Sequence, residues 1–313
     1  MSEADNHFRK AAAAAKDSLV VVKVQPANGE ERAGEAVNNT GIIVDERGHV
    51  LTSLHALAGA SAMEVVDMTG TASPAELKAV HQPAGLGLLS TELDGTAVSF
   101  ADKAPSTGDW VIIGKVRSDG LPARSPVLMP ALVSIRDVKI RCHGTSHDNL
   151  IAFFSESTNG AASAPLFDRE GQVAGILLTA DRESVDGRLC YALPGTEVSE
   201  IVEELVTGES TRAGWLGVAV TYLQGREGVM VVGVLGESPA HINGLRPGDV
   251  LLAIDGDVIG SEEVFMQKVT GYRPGSTAEL RIRREGEEQK LEVSIGARPL
   301  AISRMTNTPM AEE

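Results

Sequence analysis

The sequence has few aromatic residues, only two cysteines and no long apolar run. Phe, Trp and Tyr together make up 4% of the 313 residues. No stretch of about 18 apolar residues occurs, so we predict no membrane-spanning helix. The cysteines, Cys142 and Cys190, form neither a CxxC pair nor a metal-ligand spacing. We therefore expect buried free thiols, with a single disulfide left open as the alternative.

Basic residues are also in short supply. Lys and Arg number 28 against 43 Asp and Glu, which gives a net charge of −15. Such an acidic surface repels phosphate and argues against a nucleic-acid partner. The first 17 residues lack a signal-peptide pattern, because their acids precede their bases and Ala11–Ala15 is too short for an apolar core. We expect a cytoplasmic protein, or an exported, periplasmic one if the start of translation is misassigned.

Histidines are scattered rather than grouped in a metal-binding pattern. Their spacings fit no HxxxH or HExxH motif on a predicted helix, so we expect no metal and no cofactor. The residues considered are His49, His55, His81, His143, His147 and Asp148.

Glycine and short runs of Val, Ile and Leu are abundant. The chain has 33 glycines, and turn residues separate about a dozen strand-like segments before residue 194. One clear turn is Asp45–His49, with Gly48 at the position that tolerates a positive φ. This pattern favours a mainly β first domain, as a barrel or a sandwich.

The spacing of apolar residues changes near residue 196. Apolar residues recur at helical spacing in Thr196–Leu205, with Thr196 as the predicted N-cap and Gly208 as the stop. A polar stretch follows and indicates a domain boundary. We predict a helical extension at 1–17, a first domain at 18–206, a linker at 207–213, a second domain at 214–299 and a disordered tail at 300–313.

The segment Gly160–Leu166, GAASAPL, concentrates small residues between two strand-like runs. Small side chains allow a sharp turn or a close backbone approach. The segment is therefore either a tight connection that needs room or an active-site elbow.

Several segments together resemble the HtrA/Deg type of trypsin-like serine protease. TGIIVDERGHVLTSLHAL resembles the segment that leads to that family's catalytic His, AGLGLLST the one with its Asp, and GAASAPLFDREGQVAGI the nucleophile segment, normally GNSGGPL. GWLGV and SPAHINGLRPGDVLLAIDG resemble its PDZ domain. The resemblance implies a mainly β fold, a chymotrypsin/trypsin-like double β-barrel followed by a PDZ domain.

Carried over position by position, the resemblance is broken at the catalytic residues. His55 occupies the general-base position, but Gly85 stands at the Asp position and Ala162 at the nucleophile position. Ser163 and Ala164 replace the two glycines that follow the nucleophile. Acyl transfer needs a hydroxyl next to a base that a third group orients, so we expect the protease activity to be lost.

Two remnants of the protease site remain open to other interpretations. The amides of Gly160 and Ala162 could still form an oxyanion pocket, or the turn could persist only as scaffold. Ser163 could substitute for the missing nucleophile, although one residue along a turn its side chain should point away from His55.

The PDZ-like segment suggests a peptide-binding site. In PDZ domains an apolar–Gly–apolar loop presents amides to a peptide carboxylate, and the peptide adds as a strand to the sheet edge. The resemblance assigns this role to Leu216, Gly217 and Val218, with Phe265 and Val269 lining an apolar pocket. Alternatively, Trp215 and Leu216 are only core residues.

Three functions follow from these patterns. The first is a catalytically inactive HtrA-like protein that binds peptides, protein C-termini or unfolded clients, as a scaffold, adaptor or quality-control factor. The second is a serine endopeptidase that uses Ser163 with His55. The third is a partner or regulatory subunit for an active paralogue, which would assemble through the barrels. The resemblance also implies a homotrimer.

Overall fold

The first six strands close into a β-barrel. They follow the order β1-β2-β3-β6-β5-β4, with bounds β1 Leu19–Pro26, β2 Asn39–Ile43, β3 His49–Ser53, β4 Ala60–Val66, β5 Ala72–His81 and β6 Leu86–Thr91. The predicted turn at 45–49 joins β2 to β3 and contains Gly48 with φ +77°. A Cβ there would lie 2.5 Å from the Thr91 carbonyl oxygen, so both backbone conformation and space require glycine.

The next six strands close into a second barrel, in the order β10-β11-β12-β9-β8-β7. Their bounds are β7 Trp110–Lys115, β8 Val127–Cys142, β9 Thr145–Phe154, β10 Pro165–Phe167, β11 Val173–Leu177 and β12 Leu189–Pro194. The sequence pattern predicts two strands, 131–135 and 138–141, where β8 runs unbroken. Asp137 interrupts the apolar alternation and has φ +57°, which explains the difference.

Two helices belong to these barrels. Helix α1 spans Glu3–Ser18, and α2 spans Gly195–Val206. The predicted apolar stripe of α2 is buried, at Val198, Ile201, Val202 and Leu205. The prediction of Thr196 as N-cap is wrong, because the helix already begins at Gly195 and its N-cap is Pro194, whose extended backbone has ψ 144°.

The second unit contains one main sheet and two helices. The sheet order is β14-β15-β16-β18-β19, with β17 paired to β16 and β13 paired separately with β20. The bounds are β13 Gly214–Trp215, β14 Val218–Tyr222, β15 Val229–Val234, α3 Pro239–Ile242, β16 Val250–Ile254, β17 Asp257–Val258, α4 Glu262–Gly271, β18 Thr277–Arg284, β19 Glu287–Ser294 and β20 Gly296–Ala297. The sequence pattern predicts a single strand at 216–223, but β14 begins only at Val218 because the backbone turns at Gly217, where φ is +78°.

The two units separate between residues 211 and 212, inside the predicted linker. The computed structural model describes residues 3–26, 39–117, 125–142, 145–155, 162–178, 189–222, 225 and 227–299. Within those ranges, no helix combines the length and apolar character needed to cross a bilayer. The side chain of Cys190 is buried, whereas the side chain of Cys142 and the predicted tail at 300–313 lie outside the described residues.

Candidate functional site

A small open cleft between the two barrels brings together the segments that the sequence singles out. His55 follows β3, Gly85 precedes β6, and Ser163 precedes β10. The Leu54 amide donates to the Gly85 carbonyl oxygen at 2.8 Å and so holds the first two segments together. The cleft is lined by Ser53, His55, Ala84, Gly85, Leu86, Ser163, Leu177 and Leu178.

The cleft brings together His55, Gly85 and Ser163, residues at or next to the positions that the resemblance assigns to a catalytic triad. The His55 residue is exposed. Gly85 has φ +64°, and a Cβ placed there would meet no atom within 4 Å. The position therefore has space for a side chain, although glycine carries none. Ala162 is half-buried and ends in a methyl group. Gly160, the other predicted oxyanion residue, lies outside the described residues.

Hydrogen bonds to backbone carbonyl oxygens hold Ser163 in place, which is not the arrangement expected of a nucleophile. Its side chain is buried, and its backbone adopts a left-handed conformation with φ +62°, which favours glycine. Its amide donates to the Leu177 carbonyl oxygen at 3.0 Å. Its hydroxyl is directed to backbone carbonyl oxygens, those of Thr40 at 3.0 Å and Ala162.

Thr40 is the acceptor that connects the two barrels at this point. Its carbonyl oxygen also accepts from the Thr52 hydroxyl at 2.8 Å, and its own hydroxyl oxygen accepts from the Val116 amide at 3.2 Å. Thr40, on β2, is fully buried. The sequence gives no signal for this role, since a lone threonine at the start of a strand is unremarkable.

Of the histidines in the first unit, His49 takes part in a local polar network. His49 Nδ1 lies 2.6 Å from an Asp45 carboxylate oxygen, and its Nε2 lies 2.9 Å from Lys78 Nζ. Burial tends to raise the pKa of Asp45, but hydrogen bonds from the His49 side chain and backbone hold that pKa below its ordinary value. Burial lowers the pKa of both His81 and His147. Over the described part of the chain, no three His, Cys, Asp or Glu side chains group as metal ligands.

The loop at 215–218 in the second unit turns two of its amides away from the backbone partners of its carbonyl oxygens. The Leu216 carbonyl oxygen accepts from the Ala240 amide at 2.8 Å, and the Gly217 carbonyl oxygen accepts from the Leu235 amide at 2.9 Å. In a planar trans peptide the N–H points opposite to the C=O. The amides of Gly217 and Val218 therefore point away from these partners, as in an anion-binding nest.

Gly217 is required by this loop for two reasons. Its φ is +78°, and a Cβ would lie 2.4 Å from Ser238 Cβ. The two predicted pocket residues on α4, Phe265 and Val269, are 1% and 4% exposed and belong to the same core cluster as Leu216.

Glu262 is a residue of this region that the sequence does not single out. It is the first residue of α4, and its carboxylate oxygen accepts from the Tyr222 amide at 2.7 Å. This bond joins the beginning of the helix to the far end of the edge strand β14.

Comparison with known proteins agrees with this architecture. Residues 39–176 match the trypsin-like peptidase domain family, and residues 214–295 match the PDZ domain family. A probable periplasmic serine endoprotease, DegP-like, from Rhizobium meliloti is 27% identical over 287 residues, covering 87% of this chain and 55% of the relative. The protein of the same description from Hahella chejuensis is 27% identical over 290 residues, covering 87% and 60%. The chain thus spans little more than half the length of these curated relatives.

Solved structures share the fold. An HtrA-type protease, AlgW, with a decapeptide has a TM-score of 0.63 at 22% identity, covering 96% of this chain and 99% of that one. The serine endoprotease from Yersinia pestis has a TM-score of 0.62 at 20% identity, covering 93% and 98%. The predicted fold class, a trypsin-like double barrel followed by a PDZ domain, is confirmed.

Proposed function

Because the chain combines a trypsin-like peptidase domain with a C-terminal PDZ domain, as HtrA/Deg-type proteases do, we propose that it binds peptide segments without cleaving them. The proposal assigns binding to the loop at 216–218 and gives the barrels a structural role. Its ligands are peptides with a free C-terminus, including the ends of unfolded proteins.

The observation that carries this proposal is the hydrogen bond from the Ser163 hydroxyl to Thr40. Ser163 is the hydroxyl-bearing residue adjacent to the nucleophile position, and its proton is directed to backbone carbonyl oxygens. A serine nucleophile must instead donate to a base, and that base must be oriented by a third group. Ala162 and Gly85 supply neither a nucleophile nor an orienting carboxylate. In subtilisin, loss of the nucleophile alone costs about 10⁶ in rate.

The amides of Gly217 and Val218, which point away from the backbone partners of the loop, support peptide binding. A terminal carboxylate would accept from these amides, and the peptide would continue as a strand beside β14. The solved AlgW structure is one with a decapeptide. The apolar pocket for the last side chain would have Phe265 and Val269 at its base.

We further propose an exported protein. The relatives from Rhizobium meliloti and Hahella chejuensis carry the description periplasmic. They favour the exported alternative, and the cytoplasmic expectation receives no support from them. A role in quality control, and assembly as a homotrimer or with an active paralogue, belong to the same proposal.

A cleavage assay tests the loss of protease activity. The purified chain is expected to leave unfolded casein intact, and a fluorophosphonate probe is expected to leave Ser163 unlabelled, because its hydroxyl has no basic partner. Casein cleavage that disappears in Ser163→Ala would contradict the proposal and support the endopeptidase that uses Ser163 with His55.

A binding assay tests the peptide site separately. A fluorescent peptide with a free carboxylate is expected to bind, and its C-terminal amide is expected to bind at least tenfold more weakly, because charge-assisted hydrogen bonds to the nest are lost. Gly217→Ala is expected to abolish binding, whereas Gly256→Ala, at a glycine with positive φ and open space around it, serves as the matched control. Equal binding of acid and amide would exclude carboxylate recognition.

A further inference from the structure

The open edge of β14 offers a short row of backbone groups for a bound peptide. Among the strands in the described part of the chain, β14 is the first of its sheet, so no other described strand pairs with its second edge. Alternate residues of a strand point their N–H and C=O groups to the same edge. The Tyr222 amide points away from β15, because it donates to Glu262, so the groups of Val218 and Val220 are expected to face that edge too.

The pairing of β15 agrees with this assignment. Val220 pairs with Val231 and Tyr222 with Val229. The Val231 amide donates to Asp249 on the opposite side, at 2.8 Å. Val220 and Val231 therefore form a pair that exchanges no hydrogen bonds, and the backbone groups of Val220 are directed to the open edge.

Glu262 already binds the third backbone group that faces this edge, the Tyr222 amide. Its carboxylate takes the Tyr222 amide at 2.7 Å, a distance typical of charge-assisted hydrogen bonds. A peptide strand that pairs with Tyr222 must displace this carboxylate. The peptide runs antiparallel to β14 from a carboxylate at the nest, so its last, third-last and fifth-last residues fall opposite Val218, Val220 and Tyr222.

We infer that Glu262 ends the peptide groove, so that only the last four residues of a ligand pair with β14 and a basic fifth-last residue is preferred over an acidic one. This inference rests on the proposed function. It defines the ligand class as short, carboxylate-terminated peptide ends with a Lys or Arg next to the paired segment.

Charge decides the preference at the fifth-last position. A Lys or Arg side chain there can pair with the Glu262 carboxylate, while Asp or Glu is repelled by it. Both groups are partly exposed to water, so the effect is modest. We expect a Lys-to-Glu difference of about fivefold in Kd.

Two sets of probe peptides test the inference on the full chain. The first compares acetyl-Ala-Ala-Ala-Val with acetyl-Ala-Xaa-Ala-Ala-Ala-Val, where Xaa is Ala; the second varies Xaa among Lys, Ala and Glu. Both sets are also made with a terminal Phe, and Kd is measured by calorimetry. The four-residue and six-residue Ala peptides are expected to agree within twofold, and Xaa Lys is expected to bind about fivefold more tightly than Xaa Glu.

Three variants separate the possible causes. Glu262→Gln should bring the Lys and Glu peptides within twofold of each other. Glu262→Ala frees the Tyr222 amide and should favour the six-residue over the four-residue peptide by about threefold or more. Glu263→Gln alters the neighbouring carboxylate and should keep both wild-type patterns.

The outcomes are distinguishable from failure of the proposed function. If the four-residue peptide binds but Glu262→Gln keeps the Lys preference, or Glu262→Ala leaves the length dependence unchanged, the inference is wrong and peptide binding stands. If none of the peptides binds, both are overturned.

Discussion

At the scale of single residues, Ser163 takes part in a buried hydrogen bond between the two barrels. Ser163 adopts the left-handed backbone that the family fills with glycine, at φ +62°. A serine there costs conformational energy, which the buried hydrogen bond to Thr40 offsets. The residue therefore contributes to the joint between the barrels rather than to chemistry.

This account predicts different effects for two substitutions of Ser163. Ser163→Ala keeps the strained backbone and loses the hydrogen bond, so it should lower the free energy of unfolding by about 1 kcal/mol. Ser163→Gly loses the same bond but relieves the strain, and should be about 1 kcal/mol more stable than the alanine variant. Urea titrations measure both values, and a glycine variant no more stable than the alanine variant would contradict the assignment.

At the scale of elements, the end of β5 is tied to the segment that leads out of the first unit. The Gln82 amide donates to the Thr211 carbonyl oxygen at 2.8 Å, and the Val80 amide donates to the Ser210 hydroxyl at 3.1 Å. Between them, His81 Nδ1 accepts from the Ala84 amide at 3.1 Å. That nitrogen must be unprotonated, so the network requires a neutral imidazole.

The network predicts that stability falls on mild acidification. Burial lowers the pKa of His81 from its ordinary value of 6.5, against an opposing effect of the Glu204 carboxylate. The unfolded chain therefore takes up a proton before the folded one, and the free energy of unfolding decreases as pH falls below about 6.5. The buried His147, whose pKa is also lowered, adds to the same trend.

Urea titrations at pH 7.5 and 5.5 measure this dependence. His81→Gln should weaken it, whereas His241→Gln, at an exposed position in the other unit, should leave it as in the wild type. An unchanged dependence in His81→Gln would exclude His81 as the group responsible.

At the scale of the whole molecule, the first unit has a trypsin-like double barrel with a cleft between the barrels. The two closed barrels bring His55, Gly85 and Ser163 to this cleft. A fold of this kind depends on its buried apolar residues, and catalytic side chains add little to its stability. The proposed loss of catalytic side chains is therefore compatible with an intact scaffold.

The preserved scaffold predicts that activity can be partly restored. Ala162→Ser returns a nucleophile, and Gly85→Asp returns a carboxylate at a position with open space, where Asp tolerates the positive φ. The double variant should be labelled by a fluorophosphonate probe at residue 162. Ala162→Ser alone should react about 10⁴-fold more slowly, as expected when the base is not oriented. Equal reactivity of the single and double variants would contradict the role assigned to position 85.

The sequence by itself determined the architecture and showed which residues occupy the positions that the resemblance assigns to the triad. The periodicity of apolar residues located α2 and most strands, since the buried face of a helix or strand follows from the local order of residues. Gly85 and Ala162 can be identified without a structure, because the residue type alone shows that neither carries a hydroxyl or a carboxylate. The boundaries that failed, at Thr196, within β8 and at Leu216–Gly217, depend on single backbone angles.

Only the tertiary structure decided what the remaining groups do. The bond from Ser163 to Thr40 joins residues 123 positions apart, and that from Tyr222 to Glu262 joins residues 40 apart. Neither residue type nor spacing predicts such contacts, because they arise when barrels close and when a helix packs beside a sheet edge. The direction of the amides at 217–218 follows likewise from which carbonyls the rest of the unit engages.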